Sequence, residues 1–543
     1  MQAADILIIG AGATGAAAAW SLSETGLRIV CLEQGGHMNP ATYPSTTQQW
    51  EQGKAGAFHF SPNVRKLAAD YPVNDAESPI AIANFNAVGG STILFSGHFP
   101  RFHPSDFRVK SLDGVASDWP IDYQTLEPYF AKNDEMMGVS GLVGDPAYPP
   151  MTGLLPPLPL GRMGEVMGQG FNQLGWHWWP AYSAIISRAY RGRSPCINLG
   201  PCNTGCAQGA KSSVDVSYWP QALRNGVELR TGARVSRIGT DDQGLANGAW
   251  YFDADGNTQF QPARCVVLAC NGVGTPRLLL NSHSERFPEG LANRSGLVGK
   301  NLMLHPLGYV EGVFEERLDA HLGPQGCSIY SHAFYETDAS RGFVRGYTMQ
   351  LLRGPGPVET AVTGMGRHEI PLGPQHHGAF AARFGKTVGM GIIVEDLPDE
   401  NNRVTLDASL TDAHGIPAPK IHYALSDNSK KMLSHGLKQG RLAMRAAGAK
   451  KTSGFGPVRA AGWHLMGTAK MGLDPQQSVV DARGRSHDVP NLFVVDSSIF
   501  VTSGGVNPTS TMQALALYIA AGMKQNMASI LGAWAGTQHM TPP

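Results

Sequence analysis

The stretch that decides the fold stands near the start of the chain: Asp5-Ile-Leu-Ile-Ile-Gly10-Ala-Gly12-Ala-Thr-Gly15, running on through Ala16-Ala-Ala-Ala-Trp-Ser-Leu22 and Leu27-Arg-Ile-Val-Cys-Leu32 to Glu33. A short apolar run, a glycine turn, a run of helix formers and a second apolar run make a strand-turn-helix-strand unit of about thirty residues. In Gly10-x-Gly12-x-x-Gly15 the first glycine permits the turn, the second lets backbone approach a pyrophosphate, and the third lets helix and strand pack closely. The helix N-terminus at Ala13 and Thr14 then offers N–H groups and a positive dipole end. Glu33 lies 18 residues beyond Gly15, where an acid can hydrogen-bond a ribose hydroxyl. A bare glycine motif can be an ordinary turn, but strand, helix, second strand and terminal acid together predict dinucleotide binding. NAD and FAD both satisfy the pattern.

Outward from this unit, Asn86-Ala-Val-Gly89-Gly90-Ser91-Thr92 is a second glycine turn. Residues 110–195 are rich in Pro and Trp and read as irregular structure with two or three helices. Residues 227–238 read as strand pairs, and Cys265-Val-Val-Leu-Ala269 as a buried strand leading to a glycine turn and a helix. Alternating runs at 308–314 and 387–394 predict an antiparallel sheet within 300–430. Residues 429–447 and 514–523 read as helices, and Asn491-Leu-Phe-Val-Val495 as a last buried strand. The pattern leaves and re-enters α/β more than once. It predicts a Rossmann-like α/β domain, discontinuous in sequence (1–40, 80–110, 205–300 and 456–543), and an α+β substrate domain with an antiparallel sheet (41–79, 111–204 and 301–455).

Composition narrows the function. The 543 residues carry 43 Lys+Arg against 43 Asp+Glu, and a chain of zero net charge lacks the basic surface that displaces counterions from nucleic acid. Hydrophobic residues make up 42% and charged residues 16%, enough to fill a large interior and exclude bulk disorder. Glycine is in excess at 66 residues, which without a G-X-Y period suggests tight turns and close backbone-to-ligand approaches. No apolar run approaches the roughly 18–20 residues needed to span a bilayer. The start lacks a basic n-region, so a cytoplasmic location is expected, or a periplasmic one if a signal-bearing partner exports the chain.

Several separate segments resemble the glucose-methanol-choline (GMC) family of flavin oxidoreductases: Val88-Gly-Gly-Ser-Thr92, Leu268 to Ser282, His464-Leu-Met-Gly-Thr-Ala-Lys-Met-Gly472, Asn491 to Ser498 and Val506-Asn-Pro-Thr-Ser-Thr511. They fall in the family's order over nearly the whole chain. Pro100 to Phe107, Asp118-Trp-Pro-Ile121 and the cysteines at 196, 202 and 206 resemble the bacterial branch with the large subunits of gluconate, fructose and FAD-dependent glucose dehydrogenases. The resemblance implies FAD, with Gly10, Gly12 and Gly15 on the pyrophosphate, Glu33 on the adenosine ribose and Val235 backbone at adenine. It places Gly89, Gly90 and Ser91 on the flavin side, and Asp496, Ser497 and Asn507 to Thr509 near the ribityl chain and pyrimidine edge. Where members with tethered flavin carry histidine, this chain has Leu94-Phe95, so non-covalent FAD is expected, with His98 as the nearest histidine.

Alcohol oxidation by a flavin needs a base for the hydroxyl proton while hydride leaves carbon, and a neutral imidazole suits that work. His464 is the expected base, and Asn507, 43 residues later, the expected partner on the substrate oxygen. An Asn before Pro508 would by itself read as a turn starter. Of the seven cysteines, Cys31, Cys265, Cys270 and Cys327 read as core. Cys196, Cys202 and Cys206 lie within eleven residues in a Gly/Pro-punctuated loop, as free thiols or, by resemblance, as ligands of a 3Fe-4S cluster. His376-His377 reads as a solvated loop without a third metal ligand. The expected substrate is a sugar, glycoside or aromatic-type alcohol, against a wall that includes Tyr330, His332, Phe334, Tyr335, Phe343 and Tyr347. Electrons would pass to a non-oxygen acceptor, with a cytochrome and a small chaperone-like subunit as candidate partners. The alternatives are an oxidase releasing hydrogen peroxide and a non-catalytic flavin-binding subunit.

Overall fold

The computed structural model describes residues 1–47, 50–322 and 328–532; Cys327 lies outside them. Asp5 to Leu32 form the predicted unit, with strands Ala4–Ile9 and Ile29–Leu32 flanking the helix Ala13–Leu22. The two strands pair in parallel, Ile6 opposite Ile29. On its other edge Ala4–Ile9 pairs in parallel with Thr258–Leu268, which in turn takes Leu492–Val494, and Glu228–Arg230 adds outside Ile29–Leu32. Ala4–Ile9, Ile29–Leu32 and Leu492–Val494 are near-continuous apolar runs, as strands covered on both faces are; Ile6, Leu7 and Ile8 are fully buried.

The strand Thr258–Leu268 serves two sheets. Its C-terminal half runs in the parallel sheet, and its N-terminal half makes an antiparallel ladder with Ala246–Phe252, which pairs with Arg234–Thr240. Residues 227–238 therefore do not pair with each other as expected. Glu228–Arg230 completes the parallel sheet while Arg234–Thr240 opens the antiparallel one, because Gly232 turns the chain between them in a left-handed conformation. The buried helix Thr509–Gln525 packs against Ala13–Leu22 and Tyr123–Met137. Alanines 16 to 19 lie fully buried on the first helix and let these helices approach.

The second unit is a six-stranded sheet in the order Lys451–Phe455, Leu307–Val313, Thr387–Val394, Tyr347–Leu352, Ile329–Phe334 and Trp179–Pro180, antiparallel at each pairing. The helices Asp427–Ala446 and Gly161–Gln173 cover one face, burying Tyr347, Met349, Leu351, Met390 and Ile392. Side chains alternate along a strand, so Gln350, Leu352 and Ile393 point to the opposite face, where a large cavity lies. A small sheet joins Asn74–Glu77 to the hairpin Arg403–Thr411 and Pro417–His422.

The tightest point of the first unit is Gly15, where a Cβ would come 2.0 Å from the Gly10 carbonyl oxygen. Gly15→Ala is expected to separate helix from turn at a cost of about 1–3 kcal/mol, read as a lower melting temperature and weaker FAD retention. An unchanged Tm would show that the turn has slack.

Candidate active site

Four parallel strands end at one cavity. Gly10 follows Ile9, Glu33 follows Leu32, Asn271 comes shortly after Leu268, and Asp496 shortly after Val494; all four line a space of about 550 Å³, within the range of ligand clefts. Ligands bind beyond the carboxyl ends of the strands in sheets of this kind.

The peptide of Ala11 knots this end together. Its N–H donates to Glu33 Oε2 at 2.9 Å, and its carbonyl accepts from Gly89 N–H at 3.0 Å and from Trp219 Nε1–H at 2.9 Å. The two glycine turns therefore touch: a Cβ on Gly90, at φ +53°, would come 2.9 Å from Gly12 Cα. Glu33 Oε1 accepts Gly35 N–H at 2.8 Å. Burial pushes the Glu33 carboxyl up to about 7, and the backbone N–H groups only partly oppose it. Asp496 is held by Asn271 N–H at 3.1 Å, Thr275 Oγ1–H at 2.5 Å and Ser498 N–H at 2.9 Å, and burial raises its carboxyl too. Gly12, Ala13, Thr14, Gly90, Ser91, Val235, Ser497 and Thr509 also line the cavity. Gly15 and Gly89 stand behind it, Gly15 against the Gly10 carbonyl and Gly89 against Ile93 and Asp215. An elongated space floored by glycine backbone, with an acid at one end, fits FAD.

At the other end His464 and Asn507 meet, as their pairing in the sequence implied. Asn507 Nδ2 lies 3.4 Å from His464 Nε2, and Gln350 Nε2–H donates to Asn507 Oδ1. His464 Nδ1 faces His305 Nδ1 at 2.8 Å. Burial, with His305 and His98 beside it, holds the His464 imidazole well below its ordinary pKa. His305 and Gln350 were missed from sequence. Neither stands in a motif, and both reach the site from the opposite unit.

Three expectations change. The aromatic group at 330–347 does not line the cavity. Tyr330 O–H donates to Asp145 and Tyr335 O–H to Asp106, each at 2.8 Å, while Phe343 and Tyr347 pack into the core beneath the helices. The wall is built instead by Leu307, Gln350, Leu352, Ile393, Phe60 and Trp463, because strand alternation turns Tyr347 away from the face that carries Gln350. Cys196, Cys202 and Cys206 do border one space, but it measures only about 20 Å³, little more than one water. Cys196 Sγ accepts Asn198 N–H at 3.5 Å and Cys206 Sγ accepts Lys211 N–H at 3.5 Å. Burial pushes the Cys196 thiol up to about 11. Among the described residues no group of three or more His, Cys, Asp or Glu is arranged to hold a metal ion, so nothing in this loop supports a 3Fe-4S cluster. His376 and His377 begin a short helix, His376–Ala381, not a loop. Cys31 and Cys265 are buried and Cys270 half-buried. Among the described residues no helix is long and apolar enough to cross a membrane.

Fold and cavity define a dinucleotide-dependent oxidoreductase with a second domain roofing the cofactor site. The chain belongs to the GMC oxidoreductase family, whose N- and C-terminal domain models match residues 4–307 and 398–516. It is 42% identical over 520 residues to 2-methyl-1,2-propanediol dehydrogenase of Mycolicibacterium austroafricanum, covering 94% of each chain. It is 30% identical to the fructose dehydrogenase large subunit of Gluconobacter japonicus, over 95% of this chain and 96% of that one. Pyridoxine 4-oxidase from Mesorbium loti shares the fold, with a TM-score of 0.65 at 18% identity over 96% of this chain and 99% of that one. The protein is an FAD-family enzyme that oxidises alcohols.

The raised Glu33 pKa has a sign. A carboxyl at about 7 in the fold, against an ordinary 4.5, stabilises most below pH 4.5 and loses that contribution as pH rises through 7. FAD-free protein is expected to lose stability relative to its Glu33→Gln variant across this window. Parallel pH–stability curves would overturn the assignment.

Proposed function

We propose that the enzyme oxidises the CH–OH group of a small alcohol, with His464 as general base and Asn507 holding the substrate oxygen. The observation that carries this reading is the facing pair of Asn507 Nδ2 and His464 Nε2, 3.4 Å apart. That is long for a hydrogen bond between nitrogens, and a hydroxyl oxygen set between them would accept from Asn507 and donate to His464. FAD, when bound, supplies the acceptor for the hydride that leaves the substrate carbon. His464 Nε2 takes the hydroxyl proton, and the carbonyl forms as both depart. Gly10, Gly12, Gly90 and the helix N-terminus at Ala13 and Thr14 would hold the pyrophosphate, Glu33 the ribose, Val235 the adenine, and Asp496, Ser497 and Thr509 the flavin half.

The substrate wall supports a small polyhydroxylated or branched alcohol. Leu307, Leu352 and Ile393 present aliphatic surface, and Gln350 adds one amide whose oxygen remains free of the Asn507 contact. The 42% identical relative is named for a methylated diol, which suits such a wall better than a large aryl ring. The same relative is a dehydrogenase by name, which favours a non-oxygen electron acceptor. A protein partner belongs among the candidates, since another relative is named as a large subunit. No step is routed through the cysteine loop.

His464→Ala is expected to lower flavin reduction by about 10²–10⁴ with the flavin spectrum intact; a near-normal rate would refute the base. Denaturation in acid is expected to release free FAD, and flavin retained on the denatured band would sink the non-covalent reading. With 1,2-diols as substrate, anaerobic dye reduction should outrun peroxide release in air, and the reverse order would make the enzyme an oxidase.

A further inference from the structure

One backbone carbonyl sets the proton positions of the whole catalytic end. The Gly504 carbonyl can only accept, so His305 Nε2, 2.7 Å away, carries a hydrogen that it donates there, with the Ser503 carbonyl a second acceptor at 3.2 Å. A neutral imidazole has one N–H. His305 Nδ1 is therefore bare, and His464 Nδ1, 2.8 Å from it, must be the donor. His464 Nε2 is left with its lone pair. Asn507 turns Nδ2 toward that lone pair at 3.4 Å and its Oδ1 toward Gln350, which donates to it. The proton positions on both imidazoles thus follow from one fixed acceptor.

The backbone holds His305 in place for this. Met303 and Met466 form an antiparallel bridge, N–H to O at 3.0 Å one way and 3.2 Å the other, which puts His305 directly across from His464. Asp396 then ties His305 to its backbone acceptor. Its Oδ2 accepts Leu304 N–H at 3.0 Å, next to His305. Its own N–H donates to Ser503 Oγ at 2.9 Å, next to the Gly504 carbonyl. Burial pushes His305 down to about 4, and His98 and His305 are the titratable groups that bear on His464, so both rings of the pair stay neutral near pH 7.

We propose that His305 is a positioning residue that holds His464 in the Nδ1–H tautomer, so that Nε2 is the lone pair presented to the substrate hydroxyl. The inference rests on His464 being the base. In the opposite tautomer the Nε2 position carries a hydrogen and cannot take a proton, and two bare Nδ1 atoms face each other at 2.8 Å. When Nε2 takes the alcohol proton, the imidazolium so formed keeps its Nδ1–H on His305 while the hydride goes to the flavin. Loss of the group that fixes a catalytic histidine's tautomer can cost up to about 10⁴ in rate.

The test compares His305→Leu, which keeps bulk and removes the acceptor, with His305→Asn, whose Oδ1 sits near the Nδ1 position. Both are purified with FAD and read by anaerobic stopped-flow flavin reduction with a 1,2-diol. The expected result is a limiting reduction rate about 10²-fold lower for the Leu variant, with substrate affinity within a few-fold of wild type, and recovery of at least tenfold in the Asn variant. If the Leu variant loses FAD, His305→Ala with and without added imidazole makes the same comparison, with rescue expected. Equal losses in Leu and Asn, a loss in affinity alone, or no rescue would overturn the positioning role. If His464→Ala is inactive while His305→Leu reduces flavin at the wild-type rate, only this inference falls. If His464→Ala is itself active, the base assignment falls first.

Discussion

The Ala11 peptide is the constraint on which the cofactor end depends. Its N–H and carbonyl join the end of the second strand, the second glycine turn and the indole of Trp219, so segments from four parts of the chain converge within hydrogen-bond reach of one residue. A peptide can bridge in this way only if nothing projects from the backbone around it. Gly10, Gly12, Gly15 and Gly90 remove those side chains, and Gly90 lies so near Gly12 that a methyl group would not fit. The glycine excess of the chain is in part the cost of bringing two backbones against each other and against a ligand.

The catalytic end is built on the opposite plan, from side chains held by a backbone bridge. Met303 and Met466 align two segments that are distant in sequence, and their register alone sets His305 against His464. Asp396 locks the backbone beside His305 to the backbone beside its carbonyl acceptor. The six-stranded sheet then closes the cavity with one face while its other face is filled by the long helix Asp427–Ala446. A sheet buried on both faces can wall a cavity without losing its own core, and Gln350 lies with Leu352 and Ile393 on the cavity side.

The parallel unit was legible because its signals are local. A strand, a glycine turn and a helix within thirty residues state their own geometry, and the final strand before Asp496 could be placed by its apolar run. His464 and Asn507 were legible as members of distinctive blocks. The aromatic wall was misplaced because composition does not say which face of a strand meets the cavity; Tyr347 and Gln350 lie three residues apart and point opposite ways. The three cysteines are close in sequence, yet the distance between thiols depends on how the loop packs against Leu155, Ile185 and Ile186.

By itself, then, the sequence determined the dinucleotide unit and the family, and it singled out His464 and Asn507, since each is written in contiguous residues whose backbone requirements are severe. Tertiary structure alone decided that His305 faces His464 and which residues wall the cavity. Both depend on register between segments far apart in the chain, and a hydrogen bond 2.8 Å long between two imidazoles exists only once an antiparallel bridge has placed them face to face.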